Sequence, residues 1–190
     1  MRTFFRDILT TLIIASVIFF GLQNTIQSFI VDGPSMNYSF HDGERILVNK
    51  LIYKFHEPQR GDVIILEAPQ EYGSSSTPFI KRIIGLPGET VEVKDGIVYI
   101  RQANGKSLTL DEPYITLNTR RDFKGETLAE NEYFVMGDNR NNSDDSRHFG
   151  GIERQSIIGK AWLSIWPPQY WGLVNSYPVA KSTGNLTSNK

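Results

Sequence analysis

Ser35, in Gly33-Pro34-Ser35-Met36, has the setting of a nucleophile. Lys81, in Phe79-Ile80-Lys81-Arg82-Ile83-Ile84-Gly85-Leu86-Pro87-Gly88, has the setting of its base. A serine hydroxyl attacks well only when a neighbouring base takes its proton. Lysine can do this when uncharged, because burial can pull its usual pKa of about 10.4 down by as much as about 3–5 units. If residues 79–84 form a strand, alternation puts Phe79, Lys81 and Ile83 on one face and Ile80, Arg82 and Ile84 on the other. Lys81 then sits between two large apolar neighbours, as a neutral amine requires. Arg82 points away, to solvent or to an acidic partner. Taken singly, both residues also have plain structural readings: an exposed strand lysine, and a turn that redirects the chain.

A second polar cluster, Gly137-Asp138-Asn139-Arg140-Asn141-Asn142-Ser143-Asp144-Asp145-Ser146-Arg147, is dense in Asp, Asn and Ser. As a calcium loop it fails: a register from Asp138 puts Arg140 at a ligand position, and one from Asn139 puts Asp144 where glycine is needed. What remains is a solvated Asx-rich loop or, as the functional reading, a hydrogen-bonded and ion-paired loop buttressing a site. Asp145 and Arg147 form its natural ion pair, and Ser143 is placed to hydrogen-bond the lysine. The chain contains no Gly-x-x-x-x-Gly-Lys loop, no His-Glu-x-x-His and no serine three residues before a lysine. A Ser-His-Asp triad built on His41, His56 or His148 stays open, since triads assemble from distant segments.

These residues need a scaffold, and 190 residues suffice for one domain plus an anchor. Lys+Arg 20 against Asp+Glu 21 gives a net charge of −1, which argues against a nucleic-acid partner. The lack of cysteine excludes disulfides, thiolate metal sites and a cysteine nucleophile. Arg2 and Arg6 precede an uncharged run from Ile8 to Val31, most apolar over Leu12–Leu22. That run meets the roughly 20 residues a spanning helix needs. Its flanking charges favour an inside N-terminus, with the bulk of the chain outside. No small-x-small cleavage site follows Leu22, so an anchor is preferred over a cleavable signal peptide; a buried core helix is the other alternative. Ile26, Phe29 and Ile30 have helical spacing, but Phe29-Ile30-Val31 could equally open a strand.

Beyond the anchor, strands are expected at Arg45–Lys50, Val63–Leu66, Phe79–Ile84, Glu132–Met136 and Ile157–Trp166. Thr90–Lys94 and Ile97–Ile100 flank Asp95-Gly96, a strong hairpin signal. Loops are expected at Gln70–Pro78 and from Gly105 to Glu130, and a disordered tail from Lys181 to Lys190. The fold class is therefore mostly β, part barrel or sandwich, with one N-terminal transmembrane helix. The division is 1–7 cytoplasmic, 8–28 anchor, 29–180 extracytoplasmic β domain and 181–190 tail.

The order of anchor, Gly33-Pro34-Ser35-Met36, Arg60-Gly61-Asp62-Val63, Lys81-Arg82-Ile83-Ile84-Gly85-Leu86-Pro87-Gly88-Glu89 and the 137–147 cluster resembles the bacterial type I signal peptidases. The likeness spans roughly residues 8 to 168. It implies a membrane-bound Ser-Lys endopeptidase, without metal or cofactor, that removes signal peptides from exported preproteins. By that likeness Ser35 is the nucleophile, Lys81 the base, Ser143 the serine that orients the lysine, and Asp145 and Arg147 the supporting ion pair. Val31, Met36, Phe79 and Ile80 resemble the lining of pockets for small side chains. The implied partners are preprotein signal peptides and the lipid bilayer, and the chain is taken as a monomer. The implied place is the cell membrane or a thylakoid membrane. Two departures stand out. The family continues Ser-Met-x-Pro-Thr-Leu, but here Tyr38 replaces the proline, which adds bulk near the nucleophile. Gly33 stands where some members carry an oxyanion-donating serine, leaving that task to the Ser35 N–H. A relative that binds signal peptides without cutting them is the alternative function.

Overall fold

The structure, a computed structural model, describes residues 2–69, 77–116, 121–177 and 180–182. It opens with α1 (Arg2–Thr25). Its 24 residues give a length of roughly 36 Å at 1.5 Å per residue. Within it, Thr3–Gly21 is long and apolar enough to cross a membrane, with a mean hydropathy of 1.8. Phe4, Phe5, Leu12, Ile13, Val17 and Phe20 are all exposed, so the helix is not a core helix of this domain. Thr10 and Thr11 donate back to the Arg6 and Asp7 carbonyls at 2.6 and 2.9 Å, so their hydroxyls stay satisfied without water. The helix begins before the expected start at Ile8 and ends before 28. Residues 26–28 belong instead to β1 (Ile26–Ile30), because their backbone pairs with the strand that follows.

The remaining chain folds into two antiparallel sheets. The larger runs β1, β2 (Arg45–Asn49), β11 (Ile157–Trp166), β3 (Val63–Leu66), β4 (Phe79–Gly85), β9 (Glu132–Met136) and β10 (Ile152–Glu153), with β12 (Gly172–Leu173) also on β11. Register shifts along β11 and in β4 interrupt its ladders, and bulges of this kind bend and twist a sheet. The smaller sheet runs β13 (Ala180–Ser182), β7 (Ser107–Leu110), β6 (Ile97–Arg101), β5 (Thr90–Lys94) and β8 (Phe123–Thr127). The Asp95-Gly96 hairpin forms as expected, joining β5 to β6.

β3 and β4 lie inside the larger sheet. Val63 and Ile65 pack in one apolar cluster with Val31, Met36 and Ile80. Ile64 and Leu66 pack in another with Ile83, Tyr133 and Val135. This burial on both faces explains the unbroken β-branched run of β3. A third cluster joins Ile84, Phe134 and Met136 to the smaller sheet.

Two expectations require correction. Residues 105–130 are not all loop: β7 and β8 lie there. β8 is an edge strand paired only with β5, so its Phe-Lys-Gly-Glu-Thr sequence needs little apolar character. The tail does not begin at Lys181, since Lys181 and Ser182 pair with Thr109 and Leu108. Residues 70–76 of the expected flexible loop and 183–190 of the expected tail lie outside the described residues.

Candidate active site

Ser35 sits on a loop pinned at both ends. Beyond β1, the Val31 N–H donates to the Glu44 carbonyl at 2.8 Å, and the Gly43 N–H returns to Val31 at 2.9 Å. Gly33 takes φ +82, a left-handed conformation suited to glycine. Its N–H donates to Asp42 Oδ1 at 2.8 Å. Met36 and Phe40 are buried in the first cluster, and the Met36 carbonyl accepts from the Ser39 and Phe40 N–H groups at 3.1 and 2.9 Å. Ser35 is thereby held at the surface of a packed turn.

Lys81 reaches it from β4, with Nζ 2.9 Å from Ser35 Oγ. Only 3% of Lys81 is exposed. Phe79 and Ile83 share one cluster, and Nζ lies 5.1 Å from the Phe79 ring centroid. Burial pulls the lysine down to about 8, against the opposing pull of Asp145, Asp144 and Asp138. Roughly a tenth of the amine is then neutral at about pH 7, and that fraction can take a proton from the hydroxyl.

The 137–147 cluster grips the Ser35 loop from the other side. The Asn139 backbone N–H donates to the Ser35 carbonyl at 3.0 Å, and Asn139 Nδ2 donates to the Pro34 carbonyl at 3.0 Å. Gly137 permits this approach: a Cβ there would fall 2.4 Å from the Ser35 carbonyl oxygen and 2.3 Å from Ser143 Oγ. Asp145 accepts from the Gly137 N–H at 3.0 Å and from Arg147 Nε and Nη2, each at 2.8 Å. Burial alone would raise the Asp145 carboxyl; Arg147 and the Gly137 N–H outweigh it and hold it below its ordinary value. Arg147 Nη1 also donates to the Arg140 carbonyl at 2.7 Å, closing the loop on itself.

Ser35 and Lys81 open into a cavity of about 320 Å³, with Phe29, Val31, Ile46, Ile65 and Ile80 among its walls. Among the described residues the Ser35 N–H has no acceptor, which leaves it available to an oxyanion at Ser35.

Comparison with known proteins gives a consistent answer. Residues 2–166 match the family described as signal peptidase, peptidase S26. The chain belongs to the signal peptidase S26 family. "Probable signal peptidase I-1" of Synechocystis is 40% identical over 152 residues, covering 77% of this chain and 74% of the relative. "Signal peptidase I S" of Bacillus subtilis is 37% identical over 169 residues, covering 82% of this chain and 86% of the relative. A crystal structure of a signal peptidase I from Enterococcus faecalis V583 is 36% identical over 55% of this chain and 97% of that chain, with a TM-score of 0.47.

Within this signal peptidase family chain, several sequence expectations are redrawn. Ser143 does not hydrogen-bond Lys81. Its Oγ is buried over Gly137 and helps hold the Asp145 carboxyl down, while Nζ is engaged by Ser35. Ser143 does share the cavity wall with Lys81. Val31, Phe79 and Ile80 line the cavity, but Met36 does not; it is fully buried beneath the loop as an anchor. Of the two readings for Arg82 the acidic partner holds: it is 1% exposed and pairs in two places with Asp138, at 2.9 and 2.6 Å. No histidine lines the cavity, and Ser35 Oγ meets Lys81 instead. Phe29, Ile46, Ile65, Asp32 and Asp144 are wall residues that sequence reasoning missed. Nothing in linear order marks Ile46 or Ile65, which reach the wall only through sheet pairing.

Tyr38 needs the fullest correction. It adopts φ 80, which proline, fixed near about −65°, cannot adopt. Its side chain is 57% exposed and borders a separate cavity with Tyr114, Tyr170 and Tyr177, not the one at Ser35. The bulk therefore lies away from the Ser35 cavity, and the loop has a backbone path of its own here.

Proposed function

We propose that this chain is a membrane-anchored endopeptidase that cleaves signal peptides from exported preproteins, with Ser35 as nucleophile and Lys81 as general base. The observation that carries this reading is the 2.9 Å contact between Ser35 Oγ and a buried Lys81 Nζ in a chain of the signal peptidase family. Neutral Lys81 takes the Ser35 proton as Oγ attacks the scissile carbonyl. The Ser35 N–H stabilises the developing oxyanion. Lys81 then protonates the leaving amine, and the acyl-enzyme is hydrolysed by a water that Lys81 activates. Asp145 and Arg147 hold the loop that steadies Ser35, and Ser143 contributes to the wall beside the amine. Val31, Phe79 and Ile80 help shape pockets for small side chains, and the peptide lies extended along the adjoining strands.

Residues 1–7 stay in the cytoplasm, the anchor crosses the cell membrane or a thylakoid membrane once, and the β domain works as a monomer on the far side. Exposed Trp162, Trp166, Trp171 and Leu173 on and around β11 and β12 supply apolar surface of the kind that rests in lipid headgroups. A non-cutting binding module drew its motive from Tyr38, and that side chain stands apart from the cavity.

The deciding experiment gives the full chain, in lipid, a preprotein with an Ala-x-Ala site. Wild type should cut after the last alanine. Ser35→Ala and Lys81→Ala should each lose at least about a thousandfold in kcat/KM with unchanged melting. Near-normal cleavage by either variant would sink the mechanism.

A further inference from the structure

The cavity at Ser35 has an apolar floor and an acidic rim. Val31, Ile65 and Ile80 form the floor and belong to the packed core beneath it. Asp32 and Asp144 stand at the wall, both exposed, one from the nucleophile loop and one from the 137–147 cluster. Lys81 is the sole basic side chain among the described residues of that wall. With Lys81 neutral, as the reaction requires, the wall carries two negative charges and no positive one.

The nearby basic groups lie outside that wall. The Arg147 guanidinium is committed to Asp145. His148 Nδ1 lies 4.0 Å from Asp144 Oδ1, and its other nitrogen, Nε2, is 2.7 Å from Arg121 Nη1. Asp32 forms no ion pair among the described residues.

We infer that Asp32 and Asp144 select the charge of the substrate residue second before the cut, favouring Lys or Arg and rejecting Asp or Glu. This rests on the peptidase reading above. In an extended peptide successive side chains point to opposite sides. If the first and third residues before the cut enter the apolar floor, the second faces the rim. There it meets two exposed carboxylates at the cavity mouth, where a like charge is modestly penalised and an opposite one modestly rewarded.

The test uses the full chain in uncharged phosphatidylcholine vesicles at low salt. Three peptides differ only in having Lys, Ser or Glu second before the cut. The expected order of kcat/KM is Lys above Ser above Glu. Exposed pairs are each worth a few-fold, so the Lys-to-Glu ratio should be roughly tenfold. It should fall by about half on a logarithmic scale in Asp144→Asn, and approach one in Asp32→Asn/Asp144→Asn and at about 1 M salt. Asp144 also favours the charged form of Lys81, but that influence acts on all three peptides alike and leaves their ratio untouched. A wild-type ratio near one overturns the inference, as does a tenfold ratio that survives in the double variant. If no peptide is cut, the peptidase reading falls instead, and the dissociation constants of the same peptides decide this point. The same order then upholds the inference and equal affinities overturn it.

Discussion

At the residue scale, the proposed chemistry turns on how burial treats one lysine. Lys81 is held down to about 8 chiefly by desolvation, so the active amine fraction should rise with pH. The expected kcat/KM profile has an acid limb centred near that value. A limb centred near the ordinary carboxylate range would point to a different base. The effect on stability has a definite sign. Between about 8 and the ordinary 10.5, the unfolded chain holds a proton that the folded chain has released, so this group makes stability rise with pH across that window. Its cost is fully present below about 8. Urea titrations of wild type and Lys81→Met should converge as pH climbs through that range. Tyr38 offers a second residue-scale prediction. Because it sits at φ 80, Tyr38→Pro should destabilise the loop by about 1–3 kcal/mol or more and lower activity, whereas Tyr38→Gly should be tolerated. A proline variant that melts like wild type would show that the loop takes another path.

At the element scale, the nucleophile loop depends on a partner about a hundred residues away. Asn139 holds both the Pro34 and Ser35 carbonyls, and Gly137 leaves the space for this approach. Asn139→Asp keeps the shape but loses the side-chain donor. It should reduce kcat by roughly tenfold with KM little changed, a split that steady-state kinetics would read directly. Gly137→Ala should be more severe, because its Cβ meets backbone as well as Ser143. The strands that carry these residues were largely legible in sequence. β3 is a continuous apolar run and β9 nearly one, because both faces are buried, while β4 and β11 are apolar stretches broken only by Lys81-Arg82 and by Gly159-Lys160 and Ser164. β7 and β8 were not legible, since a strand in a small sheet or at its edge draws its order from partners that local sequence does not name.

At the scale of the whole molecule, Arg82 ties together segments far apart in the chain. Besides Asp138, it donates to the Gly61 and Asn175 carbonyls at 2.8 and 3.1 Å. Its guanidinium lies 4.2 Å from the Tyr114 ring centroid and 5.3 Å from that of Tyr177. Arg82→Met would leave Asp138 buried without its cation, an expected loss of about 3–5 kcal/mol. A loss below about 1 kcal/mol in denaturant would mean that the pair is not a structural tie. The sequence by itself determined the apolar N-terminal helix and the mostly β class, and marked Ser35, Lys81 and the 137–147 loop as candidates, because long apolar runs and dense polar motifs are local signals. Only the tertiary structure decided that Ser35 and Lys81 meet, that Arg82 turns inward, that Met36 is an anchor and not a wall, and that Tyr38 faces away from the cavity. Each of these depends on which distant backbone lies opposite a side chain, and that is fixed by sheet register and loop path, not by neighbours in the chain.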